Sequence, residues 1–195
     1  MCFKTFKDNM GFIESFNSGG NHPHKVGANA FAYQTNEEFK AARNGYRGSC
    51  WAFSTIAATE GITQLSNGKL ISLSEQELVD CDRSGEDEGC EGGEMEGVFE
   101  FIIKNKGINT NAAYPYQAAD GTCNTKEEAV YAARITGYEK VPANSEKTLL
   151  QAVTNQPISV SIDASGYALQ LYSSGICTGD CGTDLDHSVT AVGYG

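Results

Sequence analysis

The run from Cys50 to about Ser66, CWAFSTIAATEGITQLS, is a strong helix former with apolar or small residues around most of its circumference. A helix of that kind is largely buried, so the rest of the chain has to wrap around it. It starts directly after Gly48 and Ser49. Cys50 therefore stands at a helix N-terminus, where unpaired N–H groups and a partial positive charge favour a thiolate and can hold an oxyanion. A free thiol has a pKa of about 8.5 and attacks carbonyls only as the thiolate, so such help is what a cysteine nucleophile needs.

The chain has 195 residues, enough for one substantial core or two small lobes. Seven cysteines are scattered along it without paired CxxC knuckles, which suggests disulfides and an oxidising compartment rather than a zinc ribbon. Their odd number leaves at least one thiol over if the rest pair internally. Fourteen basic residues face 25 acidic ones, a net charge of −11. Nucleic acid is excluded as a partner on that balance, since its phosphates need Lys and Arg. No apolar run is long enough to span a membrane. The first ten residues carry charge where a signal peptide has its apolar stretch.

Before the Cys50 helix, Phe3, Phe6, Met10, Ile13 and Phe16 recur at three- to four-residue steps, predicting an amphipathic helix over 3–16. The alternation in 26–33 predicts a short strand. Thr35 and Glu38 form a capping box for a helix over 35–43, broken at Asn44-Gly45. Later helices are predicted at 74–81, with Ser74 and Glu77 as a capping box, at 97–107 with Gly107 as its stop, and at 144–157. GCEGG at 89–93 reads as a tight loop within an acidic, solvated stretch, 85–94. Strands follow at 157–163 and 187–195. Helices first and strands later make an α+β chain, not a doubly wound sheet.

Three histidines are present; His22 and His24 sit in a polar loop, and His187 opens an apolar strand 137 residues after Cys50. A metal site built on Cys177, Cys181 and His187 lacks an evident fourth ligand, so none is assigned. In order along the chain come GSCWAFS (48–54), SLSEQELVDCD (72–82), GCEGG (89–93), YPY (114–116), NQPISVSIDA (155–164) and LDHSVTAVGYG (185–195). Together these closely resemble plant papain-like cysteine proteases of the senescence-associated type. That family places its histidine roughly 130–150 residues after the cysteine. Phe6, Asn9, Ile13 and Asn17, followed by Gly27, Asn29 and Phe31, resemble the inhibitory propeptide of the same family.

The resemblance implies a partial propeptide-like domain over 1–46 and a papain-like peptidase domain over 47–195: a helical lobe around the nucleophile helix and an incomplete β-rich lobe. It implies Cys50 as nucleophile and His187 as general base and acid. Gly92 and Gly93 would pair with the extended substrate backbone. Met95, Ser161, Leu185, Asp186 and Ser188 would line the substrate-binding site. Cys81 and Cys123 would form a disulfide. No cofactor is implied. The implied partners are protein or peptide substrates and cystatin-like inhibitors, the chain is expected to be a monomer, and its place is vacuolar, lysosomal or secreted.

The chain also departs from the family pattern. Asn44-Gly45-Tyr46-Arg47 precedes Gly48 where a glutamine that completes the oxyanion hole is usual, and Arg47 stands where the partner of Cys90 is usual. The sequence reads as internally deleted there, and as ending at Gly195 before the asparagine that orients the histidine. Tyr33 replaces the acidic end of a propeptide motif. The alternative reading is a catalytically impaired pseudoprotease or a propeptide-like protease inhibitor.

Overall fold

The computed structural model describes residues 2–45, 48–83, 89–178 and 181–194. The chain divides into two compact units, 1–45 with 162–187, and 46–161 with 188–195. The junction proposed at 46/47 and the acidic residues 85–88 lie outside the described residues.

In the first unit, α1 (Cys2–Ser18) buries the stripe read from the sequence. Ile13 packs with Val26, Ala32 and Leu171, and Phe6, Met10, Phe12 and Phe16 close the cluster. Phe3, expected in that stripe, is instead 79% exposed, and Phe12, not expected there, packs against the cluster. The strand β1 (His24–Val26) is shorter than expected and starts earlier. It ends because Asn29 Oδ1 accepts the Phe31 N–H at 2.9 Å, closing an Asx turn that carries the chain through residues 29–34. The alternation over 26–33 is thus a turn with Ala32 buried, not a strand. The Thr35 capping box forms in both directions, Thr35 N–H to Glu38 Oε2 at 2.8 Å and Glu38 N–H to Thr35 Oγ1 at 3.0 Å. The helix it starts, α2 (Asn36–Gly45), runs through the expected break at Asn44-Gly45.

The second unit is built on α3 (Cys50–Asn67), whose Trp51, Ala52 and Ile56 enter a core with Leu73, Leu78, Val79, Val98, Ile102 and Ile108. Its neighbours in that core are α4 (Glu75–Cys81) and α5 (Met95–Lys104). Helix α5 starts and stops earlier than expected. Past its end Gly107 (φ 146°) turns the chain and donates to Ile102 O at 2.9 Å, where a side chain would collide with Ala133 O. Cys81 and Cys123 are disulfide-bonded, clipping α4 to the loop before α6 (Thr125–Glu128). Then come α7 (Glu146–Asn155) and β2 (Ile158–Ile162). Two short elements of the first unit, α8 (Tyr167–Gln170) and β3 (Tyr172–Gly175), have no clear signal in the sequence. The last strand is β4 (His187–Ala191), shorter than expected. β3 pairs antiparallel with β1, His24 opposite Gly175, and β2 pairs with β4. The whole is α+β.

The capping box expected at α4 forms only by half. Ser74 Oγ accepts the Glu77 N–H at 2.9 Å, but the Ser74 N–H goes to Asn109 O at 3.0 Å. The Glu77 carboxylate turns inward instead, accepting from the Asn109 N–H at 2.8 Å and Asn105 Nδ2 at 3.2 Å. Burial pushes this carboxyl from the ordinary 4.5 up to about 8, more than its two donors pull it down. Below pH 4.5 the folded and unfolded chains both hold the proton; between 4.5 and about 8 only the folded chain does. Stability is therefore expected to fall as pH rises across that window. Glu77→Gln should flatten the fall, measured as the melting temperature against pH; an unchanged slope would assign it to another group.

Candidate active site

Cys50 is the first residue of α3 and is half-buried. The preceding Ser49 makes no side-chain cap; its hydroxyl is instead hydrogen-bonded to the Tyr116 hydroxyl at 2.8 Å. The Ser49 side chain therefore leaves the N–H groups of the first turn, with their positive dipole end, uncapped. One turn further, Ser54 fixes the helix to the strands. Its hydroxyl donates to Val189 O at 2.7 Å, and its carbonyl accepts from Ser159 Oγ at 2.9 Å and Thr190 Oγ1 at 3.3 Å. Cys50 and Ser54 share one helix face, so this tether sets the Cys50 thiol against the start of β4. There the Ser188 N–H donates to Cys50 Sγ at 3.5 Å. Of the residues expected at the site, the hydrogen bonds of the second unit thus bring Cys50 and Ser188 together.

The buried Trp51 donates from Nε1 to Gly89 O at 3.1 Å, tying the nucleophile helix to the GCEGG turn. That turn is a short 3-10 segment, Gly89–Glu91, followed by Gly92 at φ 141° and Gly93, both half-buried. The φ of Gly92 is one that side chains rarely adopt. Met95 packs against the core cluster from its edge, and Ser161 is exposed.

Leu185, Asp186 and His187 belong to the first unit. Leu185 is 64% exposed, a large apolar side chain with little cover. Asp186 is held at both ends, its N–H on Ile162 O at 3.1 Å and its Oδ1 accepting the Ala164 N–H at 2.7 Å. Asp163 accepts from the Ser165 hydroxyl at 2.6 Å and the Asp184 N–H at 3.1 Å; the Ser165 bonds hold its carboxyl below the ordinary 3.8. The stretch leading into His187 is thus anchored by two carboxylates. Ser54 and the Ser188 N–H were not singled out from the sequence for these roles. A polar residue four places after Cys50 on a buried helix was the available signal for Ser54; a backbone donor leaves none.

Among the described residues, the sulfurs of Cys81 and Cys123 and a Glu128 oxygen lie within 4.8 Å of one another. The two sulfurs are bonded to each other, so they are not thiolate ligands.

Residues 31–195 match the papain family cysteine protease, and residues 3–39 the cathepsin propeptide inhibitor domain. The chain belongs to the papain family of cysteine proteases. A senescence-specific cysteine protease of rice (Oryza sativa subsp. indica) is 47% identical, the match covering 99% of this chain and 69% of the relative. That alignment runs over 236 positions, so the rice protein carries stretches with no counterpart in this chain. Among solved structures, recombinant stem bromelain precursor superposes with a TM-score of 0.88 at 38% identity, covering 97% of this chain and 73% of its own. Bromelain from Ananas comosus in complex with the E64 inhibitor gives a TM-score of 0.71 at 48% identity, covering 76% and 67%. The family is one of cysteine endopeptidases, and its members matched here are proteases by name, which favours the peptidase over the impaired alternative.

Proposed function

We propose that this chain hydrolyses peptide bonds with Cys50 as nucleophile and His187 as its proton partner. The observation that carries this is the Ser188 N–H on the Cys50 sulfur at 3.5 Å, with His187 the adjacent residue in the chain. His187 takes the thiol proton, and the thiolate attacks the substrate carbonyl. The Cys50 N–H and the open first turn of α3 stabilise the oxyanion. His187 then gives its proton to the leaving amine, and water, activated by His187, releases the acyl group. The substrate runs extended along Gly92 and Gly93, a strand-like mode that uses main-chain hydrogen bonds. Met95, Ser161, Leu185, Asp186 and Ser188 line the substrate-binding site, where the side chain two residues before the scissile bond is held.

Residues 1–46 act as the inhibitory segment and 47–195 as the peptidase. Within the first unit, α1, β1 and α2 are packed on residues 162–187, which supports a segment that clasps part of the enzyme. The partners are protein or peptide substrates and cystatin-like inhibitors, the working form is a monomer, and the site of action is vacuolar, lysosomal or extracellular. The test is covalent capture by a thiol-reactive peptidyl epoxide of the E64 class, located by peptide mass spectrometry. Modification is expected at Cys50, ahead of the exposed Cys177. Modification only at exposed thiols would reject the assignment.

A further inference from the structure

The N-terminal segment meets residues 162–187 through a lattice of side-chain amides centred on one glutamine. Gln170 is fully buried. Its Nε2 donates to Phe31 O at 3.3 Å and Gln34 O at 3.1 Å, and its Oε1 accepts from Asn36 Nδ2 at 3.0 Å. Its main-chain carbonyl accepts from Asn29 Nδ2 at 2.8 Å. Asn36 Nδ2 also reaches Ser165 O at 3.0 Å. From the other side, Asn9 Nδ2 donates to Ala32 O and Gln34 O, each at 2.9 Å. The turn over 31–34 is therefore gripped by its carbonyl oxygens, between Asn9 and Gln170. Such contacts read the path of the backbone and place few demands on the side chains, which fits Tyr33 standing where the propeptide motif has an acid. Tyr33 stacks on Phe6 with ring centroids 4.5 Å apart.

We infer that Gln170 is the specificity-determining residue of this clasp: it selects a partner segment that presents a turn of main-chain carbonyls followed by an asparagine at the first position of a helix. A primary amide is what the place requires, because it donates two N–H bonds and accepts one at once. A carboxylate there would set oxygen against the Phe31 and Gln34 oxygens, and a leucine would take one donor from each of those carbonyls and one acceptor from Asn36, leaving them only their remaining bonds to the Gln34 N–H, Asn9 and Ser165. Gln170's own partners do not titrate. The charged groups on the packed elements include Glu37, Glu38 and Lys40 of α2 and Asp163, which Lys40 influences, with His22 and His24 toward β1; all are unchanged in every variant and cancel in the comparison.

The inference rests on reading residues 1–46 as an inhibitory segment, and it fails separately from that reading: epoxide capture at Cys50 tests the enzyme, and hydrogen exchange tests the clasp. The experiment compares amide exchange over residues 28–40 in the full chain for wild type, Gln170→Glu and Gln170→Leu, with α3 as internal reference. Gln170→Leu should exchange at least about tenfold faster over 28–40 at any pH, and Gln170→Glu should do so once its carboxyl is ionised, read at about pH 9 because burial lifts such a carboxyl as it lifts Glu77. At about pH 4 the new glutamic acid regains a proton donor, so Gln170→Glu should recover much of its protection while Gln170→Leu does not. Equal exchange of wild type and Gln170→Glu at about pH 9, or the same behaviour of Glu and Leu at both pH values, would overturn the assignment. If α3 also exchanges faster, the variant is misfolded, and Asn36→Ala decides instead: faster exchange confined to 28–40 supports the clasp, and an unchanged pattern rejects it.

Discussion

Cys50→Ala is expected to abolish epoxide capture at this position and to lower peptide hydrolysis by at least about 10⁴-fold, because the other members of a catalytic unit contribute little once the nucleophile is gone. The folded state should barely notice. Cys50 is only half-buried and sits at the end of α3, while the residues that anchor the helix, Trp51, Ile56 and Ser54, are untouched. A stability change within about 1 kcal/mol is expected, checked by denaturant unfolding alongside the kinetics. The contrast with His187→Ala is informative. That variant keeps the thiol, the helix N-terminus and the Ser188 N–H, so slow capture by epoxide should survive while turnover of a peptide falls, since the leaving amine has lost its proton source. If Cys50→Ala hydrolysed peptides at the wild-type rate, the nucleophile would have to be sought elsewhere.

The features legible in the sequence are those in which residue type and local conformation coincide. An apolar run beginning at Cys50 specifies both a buried helix and what stands at its end. The Thr35 and Glu38 pair specifies a cap that forms as read. What was not legible depends on distant partners. Glu77 has the spacing of a capping-box residue, yet its carboxylate turns to Asn109 because the Ser74 N–H is already taken by the Asn109 carbonyl. The segment 26–33 alternates like a strand but is folded by the side chain of Asn29. β3 has an entirely exposed pattern and exists only because β1, nearly 150 residues earlier, supplies its hydrogen bonds. The Ser188 N–H on the Cys50 sulfur belongs to the backbone, and no residue type announces it.

Trp51→Ala is expected to cost about 3–5 kcal/mol, a large share of the roughly 5–15 kcal/mol that holds a domain together. Trp51 is 1% exposed and belongs to the cluster with Leu78, Val98 and Ile102. Alanine removes most of its apolar surface and leaves a cavity that three helices cannot easily close. A second loss is separable. The indole N–H is the donor to the Gly89 carbonyl, so Trp51→Phe, which keeps much of the volume, should still cost about 1–2 kcal/mol by leaving that buried oxygen without its donor. The two variants divide stability from function. Trp51→Phe loosens the connection between the nucleophile helix and the turn that carries Gly92 and Gly93, while most of the packing beneath Cys50 remains. Its effect should therefore appear as weaker peptide binding, a raised KM, with epoxide capture of Cys50 by a small reagent little changed. Denaturant unfolding and steady-state kinetics on the same preparations check this; a Trp51→Phe protein with wild-type KM would show that the Gly89 link serves stability alone.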